Sequence, residues 1–261
     1  ELKLNGVTRI NDSINSKLSL LSDIPPSKVS SFKIIPDTFK SSLKITISDS
    51  ERFIFNLKNY LKVNDIYSDN FLFSSISLIN EVTVVSDEED FIILGINSLD
   101  QIKELFKYVE TNDSEINSIE INEDLKLLLN YMNFNSNLNY ASIHDDLMII
   151  TNSISQLRKL NNLISINKVL SSNSNFINLM NKKSEKYNFI WIANSEKIFD
   201  KENNSSINFD DYPFMTVDGI LSQDIALLNT SIIEADKFSN AGDTYTEFIV
   251  STNNEIITNP I

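Results

Sequence analysis

Short apolar runs alternate with amphipathic stretches along this chain, and one arrangement keeps returning: a β-rich apolar run, a small polar residue or two, then a helix-period segment. It occurs at about 43–61, 91–109, 147–164 and 187–199. The two best-matched copies set Ile93-Leu94-Gly95-Ile96-Asn97-Ser98 against Met148-Ile149-Ile150-Thr151-Asn152-Ser153. Their continuations, ending at Leu105 and Leu160, keep Asn, Ser, Gln and the last Leu in step at an offset of 55. The first copy leads into a helix with Phe53, Leu57 and Leu61 on one stripe, and the fourth runs through Phe189-Ile190-Trp191-Ile192. Asp49, Ser98, Ser153 and Ser195 fall where a helix N-cap belongs. There a side-chain oxygen accepts from an orphan backbone N–H and stabilises the helix start by about 1 kcal/mol. Capping accounts for these polar residues. An anion site at the same junctions would want a Gly-rich turn, and none accompanies them.

Two more helices are expected, over Glu123–Met132 and Asn173–Lys182. Tyr140–Ile143 and Leu147–Ile150, joined by His144-Asp145-Asp146, read as a hairpin, as do the runs either side of Asp87-Glu88-Glu89-Asp90. Beyond Asp211 the texture becomes that of an antiparallel meander over 213–251, with strands at Phe214–Leu221, Asp224–Glu234 and Thr244–Ser251. Hairpins mixed with helices argue for an α+β fold: antiparallel sheets with helices packed on them, repeated strand–cap–helix units and a C-terminal meander. The division expected is a lead-in at 1–30, one α+β domain over 31–251, and an extended tail or connector at 252–261.

Composition narrows the classes. A chain of 261 residues with 41% hydrophobic content and only 4 Gly and 5 Pro builds a sizeable core. Its 36 Asp plus Glu against 22 Lys plus Arg give a net charge of −14, which repels phosphate backbones and anionic lipid, so nucleic acid is not an expected partner. With no cysteine there are no disulfides, thiolate metal sites or cysteine nucleophiles. No apolar run is long enough to span a bilayer, and Glu1–Ile10 lacks the layout of a signal peptide. The abrupt start at Glu1 and end at Ile261 read as a piece of something longer.

Candidate chemistry is sparse. His144, the only histidine, would be the one neutral-pH general base, but no G-x-S-x-G elbow accompanies it and it reads as a solvated turn residue. Asp87–Asp90 reads as a solvated hairpin loop rather than a calcium site, since no D-x-D-x-D-G loop supports a metal, and the same holds for Asp210-Asp211. Trp191, mid-strand, reads as core rather than as a sugar platform. Sequons at Asn203, Asn204 and Asn11 follow from frequent Asn and Ser. No catalytic, cofactor-binding or metal-binding residue is assigned, and no cofactor is expected.

Ile35-Pro36-Asp37, Phe91-Ile92-Ile93-Leu94-Gly95, Tyr140 through Thr151 and Ser171-Ser172-Asn173-Ser174-Asn175-Phe176 together resemble an exported, lipoprotein-like bacterial envelope family of unknown function. Its members carry duplicated β-α modules, some continuing into a β-propeller, and the likeness covers about residues 30–200. The resemblance implies an extracytoplasmic envelope location: outer-membrane-associated, periplasmic or cell-surface. It also implies other envelope proteins as partners, and membrane association only through a lipid anchor or a partner. The expectation is a non-enzymatic binding or scaffold module, for instance a subunit of an outer-membrane assembly or secretion complex. The alternative is a carbohydrate-acting hydrolase or binding protein using surface carboxylates, with His144 in support.

Overall fold

A computed structural model of the chain describes residues 2–9, 17–65, 73–98, 106–110, 116–134, 137–198, 212–222 and 225–233. The α+β class expected from the hairpins is the one observed. Among the described residues eleven strands form one sheet: β1 (Leu2–Arg9), β2 (Ser41–Thr46), β3 (Ile79–Ser86), β4 (Phe91–Ile96), β5 (Phe106–Glu110), β6 (Asn117–Ile121), β7 (Tyr140–His144), β8 (Leu147–Thr151), β9 (Phe189–Asn194), β10 (Phe214–Ser222) and β11 (Ile225–Ile233). Their spatial order is β1-β11-β10-β9-β2-β3-β4-β8-β7-β6-β5, and every pairing is antiparallel.

Inside this sheet β4 and β8 are apolar at nearly every position and buried throughout, so both faces must be covered. One face carries α1 (Ser50–Val63) and α2 (Glu123–Tyr131), which bury Phe53, Leu57, Leu61, Leu125 and Leu128 against Ile45, Val82, Ile92, Leu94, Met148 and Ile150. The other carries α3 (Ile154–Ser165) and α4 (Ser174–Asn181), whose Leu157, Leu160, Phe176 and Leu179 meet Phe91, Ile93, Leu147, Ile149, Ile190 and Ile192. Each such side chain contributes about 1.5–3 kcal/mol by leaving water. A short α5 (Ser195–Ile198) follows β9.

The caps sort unevenly. Asp49 accepts from the Arg52 amide and Ser153 from that of Gln156, as capping requires. Ser195 does not cap: it is the first residue of α5, and its buried hydroxyl has no hydrogen-bond partner. Ser98 closes a described stretch; residues 99–105, where a helix is expected to start, lie outside the described residues, and the end of that unit is strand β5 from Phe106 rather than helix. Asn122 and Asn173 cap α2 and α4 through Leu125 N and Phe176 N.

The symmetry visible in the architecture falls on a different unit from the strand–cap–helix segments read in the sequence. β2–α1–β3–β4 and β6–α2–β7–β8 lie head to head, so the order β2-β3-β4-β8-β7-β6 reads the same from either end, with both helices on one face. Within the central pair Ile93 opposes Ile149 and Leu94 opposes Met148. The 55-residue offset equates Ile93 with Met148, yet Ile93 faces α3 while Met148 faces α1 and α2. A face-preserving repeat needs an even offset here, because opposed residues share a face and neighbours along a strand do not.

Residues 1–30, read from the sequence as a lead-in, supply β1 and three core side chains, Leu20, Leu21 and Ile24. β1 pairs with β11, placing Leu4 opposite Thr230 and Val7 opposite Leu227. That is the edge a third meander strand would have taken. The run 244–251 and the tail 252–261 lie outside the described residues, as do Asp210-Asp211 and the three sequons. Two glycines mark close approaches. A Cβ on Gly95 would come within 2.9 Å of the Glu81 Cβ, beside the register shift between Ile79 and Glu81, and one on Gly219 would come within 2.6 Å of the Phe189 ring.

Candidate functional site

His144 is the last residue of β7 rather than part of the turn, which Asp145 makes with a positive φ of 53° beside Asp146. It is half-buried. Its Nε2 lies 2.9 Å from Asn161 Oδ1 and 3.3 Å from Ser142 Oγ, and the Ser142 hydroxyl donates to the same Oδ1 at 2.9 Å. A carboxamide oxygen only accepts, so a neutral His144 bonded there carries its proton on Nε2 and has no lone pair on that nitrogen for Ser142. Ser142 is itself 1% exposed. The three side chains tie α3 to β7, and no nucleophile–base pair results.

The acidic loop is also engaged. Glu88 pairs with Lys159 at 3.0 Å, the Glu89 carbonyl accepts from Gln156 Nε2 at 2.5 Å, and a cleft of about 190 Å³ lies between loop and helix. The hydrogen bond from Lys159, reinforced by its charge, holds the Glu88 carboxyl below the usual range. Both side chains are mostly exposed, so the pair orients the hairpin more than it stabilises it.

Two polar clusters are buried on the α3–α4 face. Glu81 accepts from the amides of Ser30 at 2.8 Å and Ser31 at 3.2 Å and from the Thr83 hydroxyl at 3.1 Å. Opposite Thr83 in register stands Lys44, fully buried, its Nζ 3.2 Å from the centre of the Phe32 ring and without a hydrogen-bond partner. Burial drives the Lys44 ammonium well below the usual lysine range, and Glu81 pulls it part of the way back. Further along the face, Lys183 pairs with Asp218 and bonds Ser231 Oγ at 3.1 Å, while Asn229 donates to Asp218 at 3.1 Å. Both clusters are satisfied largely within the protein, apart from the Lys44 ammonium. Trp191 is half-buried on the opposite face, between Leu43 and Val217 on the neighbouring strands.

A larger cleft than the one beside the acidic loop lies at the other end of the sheet. β6 pairs with β7 at Asn117–Ala141 and Ser118–Tyr140, and Ile119 N reaches Asn139 O at 2.8 Å. There the strands part, because the Asn139 amide turns to Thr151 O on β8 at 2.9 Å. The gap between the end of β6, α2 and residues 137–139 is a half-open cleft of about 430 Å³. Ile119, Ile121, Leu129, Phe134 and Leu138 form its floor, all 7% exposed or less, and Glu120, Lys126, Asn130, Asn137 and Asn139 its rim. Lys126 is held by Glu123 at 2.7 Å. An apolar floor under a few polar groups, in this volume range, is what small-ligand and peptide sites share. The sequence gives little sign of it: the Asn residues of 130–139 do not stand out in a chain where Asn is common, and the parting of β6 from β7 is a tertiary event.

Fold and cleft together define the class: an α+β protein built on one wide antiparallel sheet, with an apolar-floored cleft where two strands diverge. No family model matches the chain, and no curated protein matches it. Among solved structures, one described as "Structure of crystal form I of TP0453" aligns over 87% of this chain and 86% of that chain, with a TM-score of 0.39 and 10% identity. A likeness at that level leaves function to be argued from this chain's own residues.

Proposed function

We propose that this protein is a non-enzymatic binding or scaffold module of a bacterial envelope protein, and that it engages another envelope protein through the cleft between β6, α2 and residues 137–139. The cleft is the observation that supports the reading most. Its apolar floor and carboxamide rim suit recognition, and its rim carries one carboxylate, Glu120, where paired acid–base chemistry needs two groups. The envelope location rests on the resemblance carried by Phe91–Gly95, Tyr140–Thr151 and Ser171–Phe176. The carbohydrate alternative gains nothing from the cleft, because among the described residues the one ring lining it, Phe134, is 5% exposed and offers no stacking platform.

A photo-crosslinking residue placed at Asn137 in intact cells tests this, with the same residue at Ser165, on the far end of α3, as control. The expected result is a covalent adduct with an envelope-fraction protein from position 137 alone. Absence of an adduct there, or equal labelling from both positions, sinks the reading.

A further inference from the structure

We infer that the cleft is a slot for an extended, uncharged peptide segment that adds as a short strand to the outer half of β6 and seats one apolar side chain on Leu129, Phe134 and Leu138. This rests on the binding-module reading above and names the class of ligand.

The backbone carries the argument. Ile119 directs its N–H toward residue 139, and strand alternation turns the N–H and C=O of Ile121 to that same side. Asn139 turns its own amide to β8, and no backbone partner reaches Ile121 there among the described residues. Ile121 therefore offers a donor and an acceptor along an open strand edge, which is the geometry of strand addition. An extended chain advances about 3.3 Å per residue, so with the Ile119 N–H already bonded to Asn139, about two residues of added chain fit beside Glu120 and Ile121.

The rim agrees with a peptide and disagrees with the other ligand classes. Asn130, Asn137 and Asn139 each present both a donor and an acceptor, matching peptide N–H and C=O groups. Lys126, the rim's cation, is paired with Glu123, and Glu120 adds one negative charge to a chain of net −14, so the slot carries no net positive charge to draw phosphate or carboxylate. A sugar lacks its exposed ring, and an acyl chain would leave three carboxamides facing hydrocarbon.

The test uses the full chain and two blocked peptides: acetyl-Ser-Leu-Ser-Leu-amide, and its analogue with every peptide nitrogen methylated. Amide spectra are recorded during titration. The first peptide is expected to shift the Ile121 amide and the side-chain amides of Asn130, Asn137 and Asn139 in a saturable way. The methylated analogue, unable to donate, is expected to bind at least about tenfold more weakly, as a hydrogen bond left unmade implies. Asn137→Trp should abolish the effect by filling the slot while leaving resonances outside it in place. No saturable shift at Ile121, equal binding of both peptides, or undiminished binding to Asn137→Trp overturns the inference. An adduct at position 137 without any peptide response would remove the peptide class and keep the binding module. Failure of the adduct would remove the module itself.

Discussion

Lys44 is the residue whose environment departs furthest from what its chemistry prefers, and its behaviour with pH follows from that. In the unfolded chain its amine titrates near 10.5, whereas burial lowers it well below that in the fold. Between the two values the unfolded state binds more protons, so stability rises with pH across that window and is lowest beneath it. Lys44→Met should flatten this rise, measured as urea midpoints in steps from neutral pH to about 10. A mutant with the same slope as the parent would place the cost elsewhere. The measurement stops there because burial raises the Tyr131 and Tyr187 phenols, and unfolded tyrosines ionising first lower stability above pH 10. The caps give a second contrast. Asp49→Ala removes the bond to Arg52 N and should cost about 0.5–2 kcal/mol. Ser195→Ala removes a buried hydroxyl that bonds nothing and should leave the midpoint unchanged or slightly raised. Asp49 and Ser195 look alike in sequence, each small and polar between strand and helix, and only the chain path around Ser195 separates them.

At the level of elements, tight strand crossings are the sensitive points. Gly219 on β10 sits against the Phe189 ring of β9, so Gly219→Ala should cost about 1–3 kcal/mol through displacement of that ring. Gly6 on β1 has nothing within 4 Å of an added Cβ, so Gly6→Ala should show no such loss. Paired denaturant curves decide this, and equal losses would contradict the crossing geometry. Elements were the most legible level in the sequence: α1 and the β3–β4 and β7–β8 hairpins follow from periodicity and turn residues. Parity was not legible. β4 and β8 are buried on both faces, so their side chains carry no alternation to say which face is which, and the 55-residue match settled one position out of step.

Across the whole molecule, β1 shields one end of the sheet. β11 reads Ile225-Ala226-Leu227-Leu228-Asn229-Thr230-Ser231-Ile232-Ile233 without a charge, whereas β1 brings the exposed Lys3 to the outer strand. Uncharged apolar edges pair with other chains, and charged ones resist it. Deleting residues 1–9 should therefore produce self-association at concentrations where the full chain stays dispersed, read by sedimentation velocity. An unchanged distribution would show that β1 does not protect β11.

The sequence by itself determined what local physics controls: the α+β class, the hairpins and most helix starts. Its charge of −14 also sets the chain against polyanions. Tertiary structure alone decided the rest. It sent the N-terminal strand to β11, set two half-sheets head to head across β4 and β8, buried Lys44 over Phe32, and parted β6 from β7 to open the cleft. Each of these depends on pairing between residues distant in the chain, where the local pattern states only that a strand exists and the competition among edges chooses its neighbour.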